Sequence, residues 1–377
     1  MILLLFLIIL LRISVVFSLE SPARQAILYD YETSSVIFEK NQDELMSPSS
    51  MSKIMTIYYL FKKIKDGEIL LDDEFEVSKK AWKKGGSKMF VNVNSMVKVE
   101  DLIRGIIVQS GNDACIVVAE AISGSEEAFA EELNSLANDI GLRNSNFTNS
   151  TGWPDPKHLM TVNDLLKLTL RTIEDFPNLY RYYAEKEFTY NDIKQLNRNP
   201  LLFSNFESDG LKTGHTSLGG YGIVTTVIKD NRRLILVLNG LKSNSLRSKE
   251  SKRLMKIGFN QFKNINLFDS GDIIEEIPVW SGKKKKVSIY TKEKISMTIP
   301  KKIEKKLDYK LRYELPLIAP IKKDQYVADL IVKKNNETFK VVKLYSNNDV
   351  KKINFFSKII LNLKFLIFGE SIISSKK

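Results

Sequence analysis

Three short motifs carrying the residue types of a hydrolytic site follow one another along the chain. They occupy residues 50–53 (SMSK), 110–112 (SGN) and 212–214 (KTG). A serine with a nearby lysine can form an acyl-enzyme, a polar pair can hold a substrate amide, and a cationic strand can bind a carboxylate. Each motif alone is common by chance. Their joint occurrence in this order and at these separations indicates a single acyl-transfer site.

The first motif lies at the start of a predicted helix. Pro48 suits a first helical turn, and an apolar helical pattern continues over residues 54–61. Residues three apart share a helix face, so Ser50 and Lys53 can touch. A lysine can remove the serine proton if burial and a neighbouring cation lower its pKa. The alternative is an ordinary capped helix with Lys53 on its surface.

The second motif falls between two apolar helical runs, 102–108 and 114–122. A buried loop between these helices would carry Ser110 and Asn112 into a cleft. There the serine could pass a proton to a leaving amine, and the asparagine could hold a substrate amide. The alternative is an ordinary turn in which Asn112 or Asp113 caps the second helix.

The third motif is predicted to lie on the strand before a β-hairpin, because two apolar, β-branched runs follow it. The two runs and the turn between them are residues 223–228, 233–238 and 230–231. On such a strand, Lys212 and Thr213 could bind a terminal carboxylate, and Gly214 would leave room for close backbone approach. The alternative is an exposed edge strand whose lysine discourages aggregation.

Around these motifs the chain resembles the serine D-alanyl-D-alanine carboxypeptidases, the low-molecular-weight penicillin-binding proteins related to serine β-lactamases. The similarity runs from about Ala26 to the end of the chain and is most specific before Phe259. The blocks that carry it are residues 48–56, 109–115, 186–190, 195–199 with 201–202, and 209–216. The fold class expected is α+β, of the β-lactamase and DD-peptidase type. Strands from both ends of the catalytic part would form one antiparallel sheet around a helical middle, 49–175, and a small all-β domain would follow.

The resemblance implies a mechanism in which Ser50 attacks the carbonyl between the last two D-alanines of a peptidoglycan stem peptide. Lys53 would act as general base, and Ser110 would relay the proton to the departing D-alanine. Backbone N–H groups, including those of Ser50 and His215, would form the oxyanion hole. Water would then hydrolyse the acyl-enzyme. β-Lactam antibiotics such as penicillin would acylate the same serine, because the strained amide resembles the D-alanyl-D-alanine end.

The resemblance also implies a set of substrate-binding residues. These are Asn112, Lys212, Thr213, Gly214, His215, Arg198 and Arg247. Lys212 and Thr213 would hold the terminal carboxylate, while Arg198 and Arg247 would give electrostatic support. Lys53 beside Lys212 would lower the pKa of one or both amines, since like charges disfavour each other's ionised form.

Other functions on the same fold remain open. Glu174 with Asn178 resembles the glutamate with which class A β-lactamases activate the deacylating water. The pair lies at a helix end next to a proline, which favours a structural cap and leaves a β-lactamase as the alternative. A DD-endopeptidase is a further alternative. A cell-wall binding protein with a decayed site is disfavoured by the intact Ser50, Lys53 and Lys212.

The composition gives no sign of a metal or a cofactor, and it disfavours nucleic acid as a partner. Histidine occurs only at His158 and His215 and cysteine only at Cys115, so no metal-ligand spacing exists. Cys115 opens an apolar helix and is predicted to be a small buried hydrophobe. The net charge of +12 comes from basic residues that are spread rather than clustered with stacking aromatics. This distribution favours anionic lipid and cell wall as partners.

Four segments are predicted along the chain. Residues 1–18 are almost wholly apolar and indicate a secretory signal cleaved after Ser18, with an uncleaved anchor as the alternative because Arg12 interrupts the run. Residues 19–264 would form the catalytic domain. Residues 265–350, with short alternating runs and no catalytic motif, would form a small β-rich stalk domain.

The last segment, 351–377, is rich in Phe, Ile and Leu with lysines between them, and is too interrupted to span a bilayer. It is predicted to be an amphipathic helix lying on an anionic membrane surface. The alternative is a helix packed on the stalk domain. Together with the signal, this segment predicts an exported enzyme on the periplasmic face of the bacterial inner membrane.

Overall fold

The computed structural model describes residues 19–302, 307–334 and 337–368. The predicted signal at 1–18 lies outside the described residues. Internal contacts divide the described chain into two compact units. The first contains residues 19–28, 38–228 and 235–254, and the second contains residues 29–37, 229–234 and the described part of 255–377.

An antiparallel sheet joins strands from the beginning and the end of the catalytic part. Its strands are β1 (Gln25–Asp30), β2 (Ser35–Lys40), β7 (Ser208–Thr216), β8 (Gly220–Lys229) and β9 (Arg232–Leu241). Their order is β2-β1-β9-β8-β7, so the last three strands form a meander next to the first hairpin. Asp230 and Asn231 both have positive φ, at 52° and 57°, as the tightest hairpin turns require. The hairpin predicted from these two residues is therefore confirmed.

Most helices lie between the strands of this sheet in the sequence. They are α1 (Lys53–Lys65), α2 (Lys79–Lys83), α3 (Val99–Ile107), α4 (Asn112–Ser123), α5 (Glu126–Asp139) and α6 (Val162–Asp175), with α7 (Asn244–Gln261) after β9. Two 3₁₀ helices cover Ser49–Ser52 and Tyr180–Ala184. Residues 53–61 of α1 are all buried, so its first turns pass through the core. Burying each large apolar side chain there contributes about 1.5–3 kcal/mol.

The prediction of one continuous helical middle over 49–175 is too coarse. A short hairpin of β3 (Glu74–Glu76) and β4 (Met96–Lys98) interrupts it, with Phe75 opposite Val97. A second short hairpin pairs β5 (Glu187–Tyr190) with β6 (Ile193–Leu196). The segment between α1 and α3 contains several Gly, Asn and Asp residues, which favour turns over helix and explain the interruption.

The second unit contains the small β-domain. Strand β10 (Phe262–Phe268) pairs with β13 (Ile295–Pro300). A six-stranded sheet runs in the order β14 (Leu307–Arg312), β16 (Tyr326–Lys334), β17 (Glu337–Ser346), β12 (Lys286–Tyr290), β11 (Ile273–Trp280) and β15 (Leu317–Ile318). Alternate residues of these strands fill one apolar core, including Ile277, Ile289, Leu330 and Leu344. The sequence predicts a domain boundary after residue 264, which lies within β10. This boundary stays a prediction.

Helix α8 (Phe355–Phe368) ends the described chain. It exposes several large apolar side chains, with Phe355 71%, Phe356 77% and Ile367 71% exposed. Lys358 lies on the same helix, and its side chain is also exposed. Among the helices that the structure describes, none combines the length and apolar character needed to cross a bilayer.

Candidate active site

The first motif forms a 3₁₀ turn that leads directly into α1. Within this turn Ser49 and Ser52 are each 1% exposed, whereas Ser50 remains partly open to solvent. Ser50 is therefore the hydroxyl of this turn that a substrate can reach. The helix start carries no side-chain cap, so the capped surface helix considered as the alternative is not what the chain forms.

Lys53 is completely buried, and its ammonium nitrogen has three oxygen neighbours. Nζ lies 2.9 Å from Ser50 Oγ, 2.8 Å from Asn112 Oδ1 and 2.6 Å from the carbonyl oxygen of Thr151. Asn112 is itself fixed, since its Nδ2 donates to the carbonyl of Gly85 at 2.8 Å. The lysine is thus aimed at the serine by two groups from other parts of the chain.

Burial, together with the charges of Arg198 and Lys84, lowers the pKa of Lys53 to about 8. A carboxylate in this position would have the opposite effect, but the oxygens that contact Nζ belong to a hydroxyl, an amide and a carbonyl. An amine with a pKa near 8 is partly neutral at pH 7. It can therefore accept the proton of Ser50 when the hydroxyl attacks.

The second and third motifs contact each other beside the cavity on which Ser50 opens. Lys212 is 3% exposed, and its Nζ donates to Ser110 Oγ at 2.9 Å and to the carbonyl of Thr213 at 3.2 Å. Burial, followed by the charge of Lys53, holds the pKa of Lys212 well below its usual range. The exposed edge-strand lysine considered as the alternative is excluded, although β7 does lie at the edge of its sheet.

Both arginines of the predicted site line one cavity of about 540 Å³ that opens on Ser50. Arg198 Nη1 donates to Ser87 Oγ at 2.7 Å, and Arg247 Nη2 donates to Asn244 Oδ1 at 2.6 Å. Burial lowers the pKa of Arg247 to about 10, which leaves the guanidinium charged at pH 7. No acidic side chain lines this cavity in the described chain. The cavity therefore attracts an anion such as a carboxylate.

Thr213, Gly214 and His215 lie along the edge of the same cavity. The His215 ring stacks on Tyr221, with the two ring centroids 3.8 Å apart. Gly214 leaves room for close backbone approach, as expected, and the approaching backbone is that of the first motif. A Cβ there would lie 2.8 Å from the carbonyl oxygen of Pro48, so the glycine lets β7 pass against the chain that carries Ser50.

Sequence reasoning missed several residues of the site. The carbonyl of Thr151, which contacts Lys53, belongs to a loop held by Asn149, whose Oδ1 accepts from Thr151 N at 3.1 Å and from Trp153 N at 3.0 Å. The Asn-Ser-Thr-Gly stretch at 149–152 is a turn signal that could have drawn attention to this loop. Nothing in the sequence could have linked it to Lys53, because a backbone carbonyl has no residue signature.

His158 forms a hydrogen bond with the 3₁₀ turn that carries Ser50. Its Nε2 lies 2.7 Å from Ser52 Oγ, and its Nδ1 accepts from Thr148 N at 3.2 Å. Burial lowers the pKa of His158 to about 4. The ring is therefore neutral at pH 7 and donates to Ser52 through Nε2.

The structure also shows where Cys115 and Glu174 lie. Cys115 is buried in α4, as expected for a small hydrophobe, and burial raises the pKa of its thiol to about 12. Glu174 lies in the last turn of α6. It lines neither the cavity of about 540 Å³ nor a second cavity, of about 310 Å³, that also opens on Ser50.

Comparison with known proteins matches both parts of the chain. A family model described as D-alanyl-D-alanine carboxypeptidase covers residues 14–243, and one described as the C-terminal domain of penicillin-binding protein 5 covers residues 262–352. The D-alanyl-D-alanine carboxypeptidases DacC and DacA of Escherichia coli are each 36% identical to this chain. Each alignment covers 91% of this chain, and the two cover 88% of DacC and 87% of DacA. A D-alanyl-D-alanine endopeptidase of the same organism is 25% identical over 58% of the chain.

Two solved structures are similar to this chain over 89% of its length. Penicillin-binding protein 5 from Haemophilus influenzae has a TM-score of 0.80 and 34% identity, covering 89% of this chain and all of its own. The carboxypeptidase DacD from Francisella tularensis has a TM-score of 0.81 and 28% identity, covering 89% of this chain and 95% of its own. The α+β fold with a small all-β C-terminal domain is thus confirmed. The chain belongs to the D-alanyl-D-alanine carboxypeptidase family, peptidase family S11.

Proposed function

We propose that this chain removes the terminal D-alanine from peptidoglycan stem peptides through an acyl-enzyme on Ser50. The observation that carries the proposal is the contact between Ser50 Oγ and the buried Nζ of Lys53 at 2.9 Å. A buried amine with a lowered pKa next to an accessible hydroxyl is the arrangement that makes serine nucleophilic. β-Lactams would acylate the same oxygen.

In the acylation step, neutral Lys53 takes the proton of Ser50 while the oxygen attacks the D-alanyl carbonyl. Backbone N–H groups of Ser50 and His215 would stabilise the negative charge that develops on the carbonyl oxygen. Both residues line the cavity where the carbonyl would lie. The amide of Asn112 holds Lys53 and can also bind the substrate backbone.

The departing D-alanine needs a proton on its nitrogen and a site for its carboxylate. Ser110 is suited to deliver the proton, because its Oγ is contacted by Lys212 Nζ at 2.9 Å. The carboxylate would enter the cavity of about 540 Å³ and meet Thr213, Arg198 and Arg247. An arginine-lined cavity without acidic groups favours a terminal carboxylate over a continuing peptide chain. This favours carboxypeptidase over endopeptidase activity.

The test is labelling with a fluorescent penicillin, followed by mapping of the modified peptide and an assay of D-alanine release. We expect label on Ser50 and loss of both labelling and D-alanine release in Ser50→Ala. Ser245→Ala, which removes an exposed serine at the start of α7, is the matched control and should retain both. Label on another serine, or D-alanine release by Ser50→Ala, would overturn the assignment.

Deacylation rate separates a carboxypeptidase from a β-lactamase on this fold. The penicilloyl-enzyme should persist for minutes to hours, because Glu174 does not reach the cavities at Ser50. Following the decay of the fluorescent label after removal of free drug measures this directly. Many turnovers per second would favour the β-lactamase.

We also propose that α8 holds the enzyme at an anionic membrane surface. Support comes from the exposed apolar side chains of this helix, among them Phe355, Phe356 and Ile367. Lys351, Lys352 and Lys358 are exposed next to them and suit anionic headgroups. An exported protein on the periplasmic face of the inner membrane would meet such a surface.

Truncation after Asp349 tests this anchoring. The full chain should float with vesicles that contain phosphatidylglycerol and bind vesicles of pure phosphatidylcholine more weakly, while the truncated chain should stay in the soluble fraction with its penicillin labelling intact. Flotation of the truncated chain with the anionic vesicles would rule out α8 as the anchor.

A further inference from the structure

A cavity of about 580 Å³ lies within the second unit, between α8 and the small β-domain. Its volume is within the range of sites that hold small molecules, about 300–1,000 Å³. The β-domain contributes Val279, Trp280 and Pro316 to its lining, and α8 contributes Ile360 and Leu361. The helix thus covers this part of the β-domain without filling the space beneath it. A cavity with such a lining favours an aliphatic ligand.

Helix α8 is apolar on two sides. Ile360 and Leu361 line the cavity together with Ser357, three and four residues earlier, so these side chains share one face of the helix. Phe356 lies outside this lining and is 77% exposed. Across the cavity, Leu315 of the β-domain is 62% exposed. A helix that only lies on a membrane needs one apolar side, so the apolar side over the cavity is left to contact another apolar group.

Two lysines of the turn between β11 and β12 bring positive charge to this cavity. Lys283 and Lys285 are exposed and belong to its lining, whereas Lys284 between them does not. The described lining contains no acidic side chain. Within the described part of the chain, neither Lys283 nor Lys285 forms an ion pair, while Lys286 lies 3.7 Å from a carboxylate oxygen of Glu276. Two unpaired ammonium groups beside an apolar cavity suit a ligand that joins an anion to an aliphatic chain.

A buried hydroxyl also lines the cavity. Ser281 is 7% exposed, and its Oγ has no hydrogen-bond partner among the described residues. Its backbone is fixed, because its carbonyl accepts from Ile353 N at 3.0 Å, and Lys283 N donates to the carbonyl of Lys351 at 2.8 Å. Leaving a buried hydroxyl unpaired is unfavourable. A ligand oxygen that accepts from Oγ would remove this cost.

We propose that this cavity binds one molecule of an anionic phospholipid. An acyl chain would lie between α8 and the β-domain, against Trp280 and Leu361. The phosphate would pair with Lys283 and Lys285, and Ser281 would donate to a lipid oxygen. This inference rests on the proposed anchoring by α8 and goes beyond it, because it makes the β-domain part of the lipid contact.

The test uses dihexanoyl phosphatidylglycerol below its critical micelle concentration, so that single lipid molecules bind in the absence of a bilayer. Isothermal titration calorimetry with the full chain measures affinity and stoichiometry. Dihexanoyl phosphatidylcholine is the comparison, because it has the same acyl chains but adds a choline cation that the two lysines would repel. We expect one phosphatidylglycerol per chain, bound about fivefold more tightly than phosphatidylcholine. The preference should shrink when the salt concentration rises from about 0.05 M to about 0.5 M.

The lysine turn provides its own matched control. Lys283→Gln and Lys285→Gln should each weaken the binding of phosphatidylglycerol about threefold to fivefold. Lys284→Gln removes the same charge from the same turn but lies outside the cavity lining, and it should leave the affinity nearly unchanged. General attraction of an anion to a basic turn would instead be weakened equally by all three substitutions.

Filling the cavity separates the lipid site from the anchor. Ser357→Trp adds a large ring from α8 without a change in charge and should weaken the binding of phosphatidylglycerol at least about tenfold. Phe356→Trp, at the neighbouring position outside the lining, is its control and should keep the affinity. Both variants should still float with phosphatidylglycerol vesicles, because tryptophan suits a membrane interface.

Three outcomes would each overturn the inference: equal affinity of the wild-type chain for the two lipids, equal weakening by the three lysine variants, or unchanged affinity in Ser357→Trp. If a variant does not fold, as judged by thermal unfolding, the wild-type preference between the two lipids and its dependence on salt decide the question. Failure of the proposed anchoring has a different signature, since the full wild-type chain would then not float with phosphatidylglycerol vesicles.

Discussion

Lys53 Nζ lies 2.9 Å from Ser50 Oγ while the whole Lys53 side chain is buried. Burial lowers the pKa of this amine to about 8, so roughly a tenth of it is neutral at pH 7. The same burial removes competing water from the base. The reactivity of Ser50 therefore depends on whether the Lys53 amine is protonated.

The rate of acylation should follow that protonation. Neutral Lys53 is the form that accepts a proton, so the second-order rate of penicillin acylation should rise about tenfold as pH increases from 7 to well above 8. The measurement is the labelling rate with a fluorescent penicillin between pH 6 and pH 9.5, corrected for hydrolysis of the drug. Below pH 7 the rate should fall about tenfold per pH unit.

Lys53→Ala supplies the control for this profile. The variant should acylate at least about a hundredfold more slowly, and its residual rate should no longer rise through pH 8. Because the substitution also leaves Asn112 Oδ1 without its donor, the fold is checked by thermal unfolding. A flat wild-type profile, or wild-type labelling by Lys53→Ala, would remove Lys53 from the role of base.

Ser110 and Lys212 should act as one unit. The only hydrogen bonds of Lys212 Nζ within the described chain are to Ser110 Oγ and the carbonyl of Thr213. We expect Ser110→Ala and Lys212→Gln each to slow acylation by about a hundredfold. The double variant should be little slower than either single variant, because each change already breaks the same pair. Labelling rates of the four proteins test this coupling, and additive losses would show that the two side chains act independently.

Much of this site could be predicted from the sequence because its reactive groups lie in short, local motifs. Ser50 and Lys53 are three residues apart, so one helical turn brings them together whatever the rest of the fold does. The hairpin after the third motif was equally local, since Asp230 and Asn231 favour the positive φ that its turn requires.

The parts that escaped prediction depend on long-range packing. The loop that contributes the Thr151 carbonyl and the Trp153 indole reaches Ser50 from about a hundred residues away in the sequence. Strand β10 was missed for another reason. Helix α7 ends at Gln261 and the strand begins at the next residue, Phe262. No glycine or proline stands at this junction to mark the change from helix to strand.

Gly152 should be intolerant of any side chain, and the chain offers a matched control. Both Gly152 and Gly124 have positive φ, at 73° and 77°, but a Cβ at Gly152 would lie 2.0 Å from the carbonyl oxygen of Ser49, whereas Gly124 has no neighbouring atom within 4 Å. Gly124→Ala should cost only about 1 kcal/mol of backbone strain. Gly152→Ala should cost clearly more and slow acylation, because relief of the clash moves the turn that carries Ser50.

Urea unfolding and penicillin labelling of the two glycine variants measure these effects. Equal losses of unfolding free energy would show that the contact with Ser49 is relieved without cost. Unchanged labelling by a destabilised Gly152→Ala would show that the turn carrying Ser50 does not depend on its packing against the 149–152 loop.

His158 should make the stability of the protein depend on acid. Burial lowers its pKa from an ordinary value of 6.5 to about 4, so the folded state holds the neutral ring. Between these two pH values the unfolded chain binds a proton that the folded chain does not. The free energy of unfolding therefore decreases as pH falls from 6.5 towards 4, by about 3 kcal/mol from this residue alone.

Carboxylates titrate in part of the same pH range, so the informative quantity is the difference between wild type and His158→Gln. The variant should be less stable at pH 7, because Ser52 and Thr148 lose their buried partner, but its stability should fall less steeply below pH 6.5. Urea unfolding at pH 7, 6, 5 and 4.5 gives both curves, with the exposed His215 replaced by glutamine as the matched control. Parallel curves for wild type and His158→Gln would show that His158 binds a proton equally well in both states, which its burial and its hydrogen bond from Thr148 N argue against.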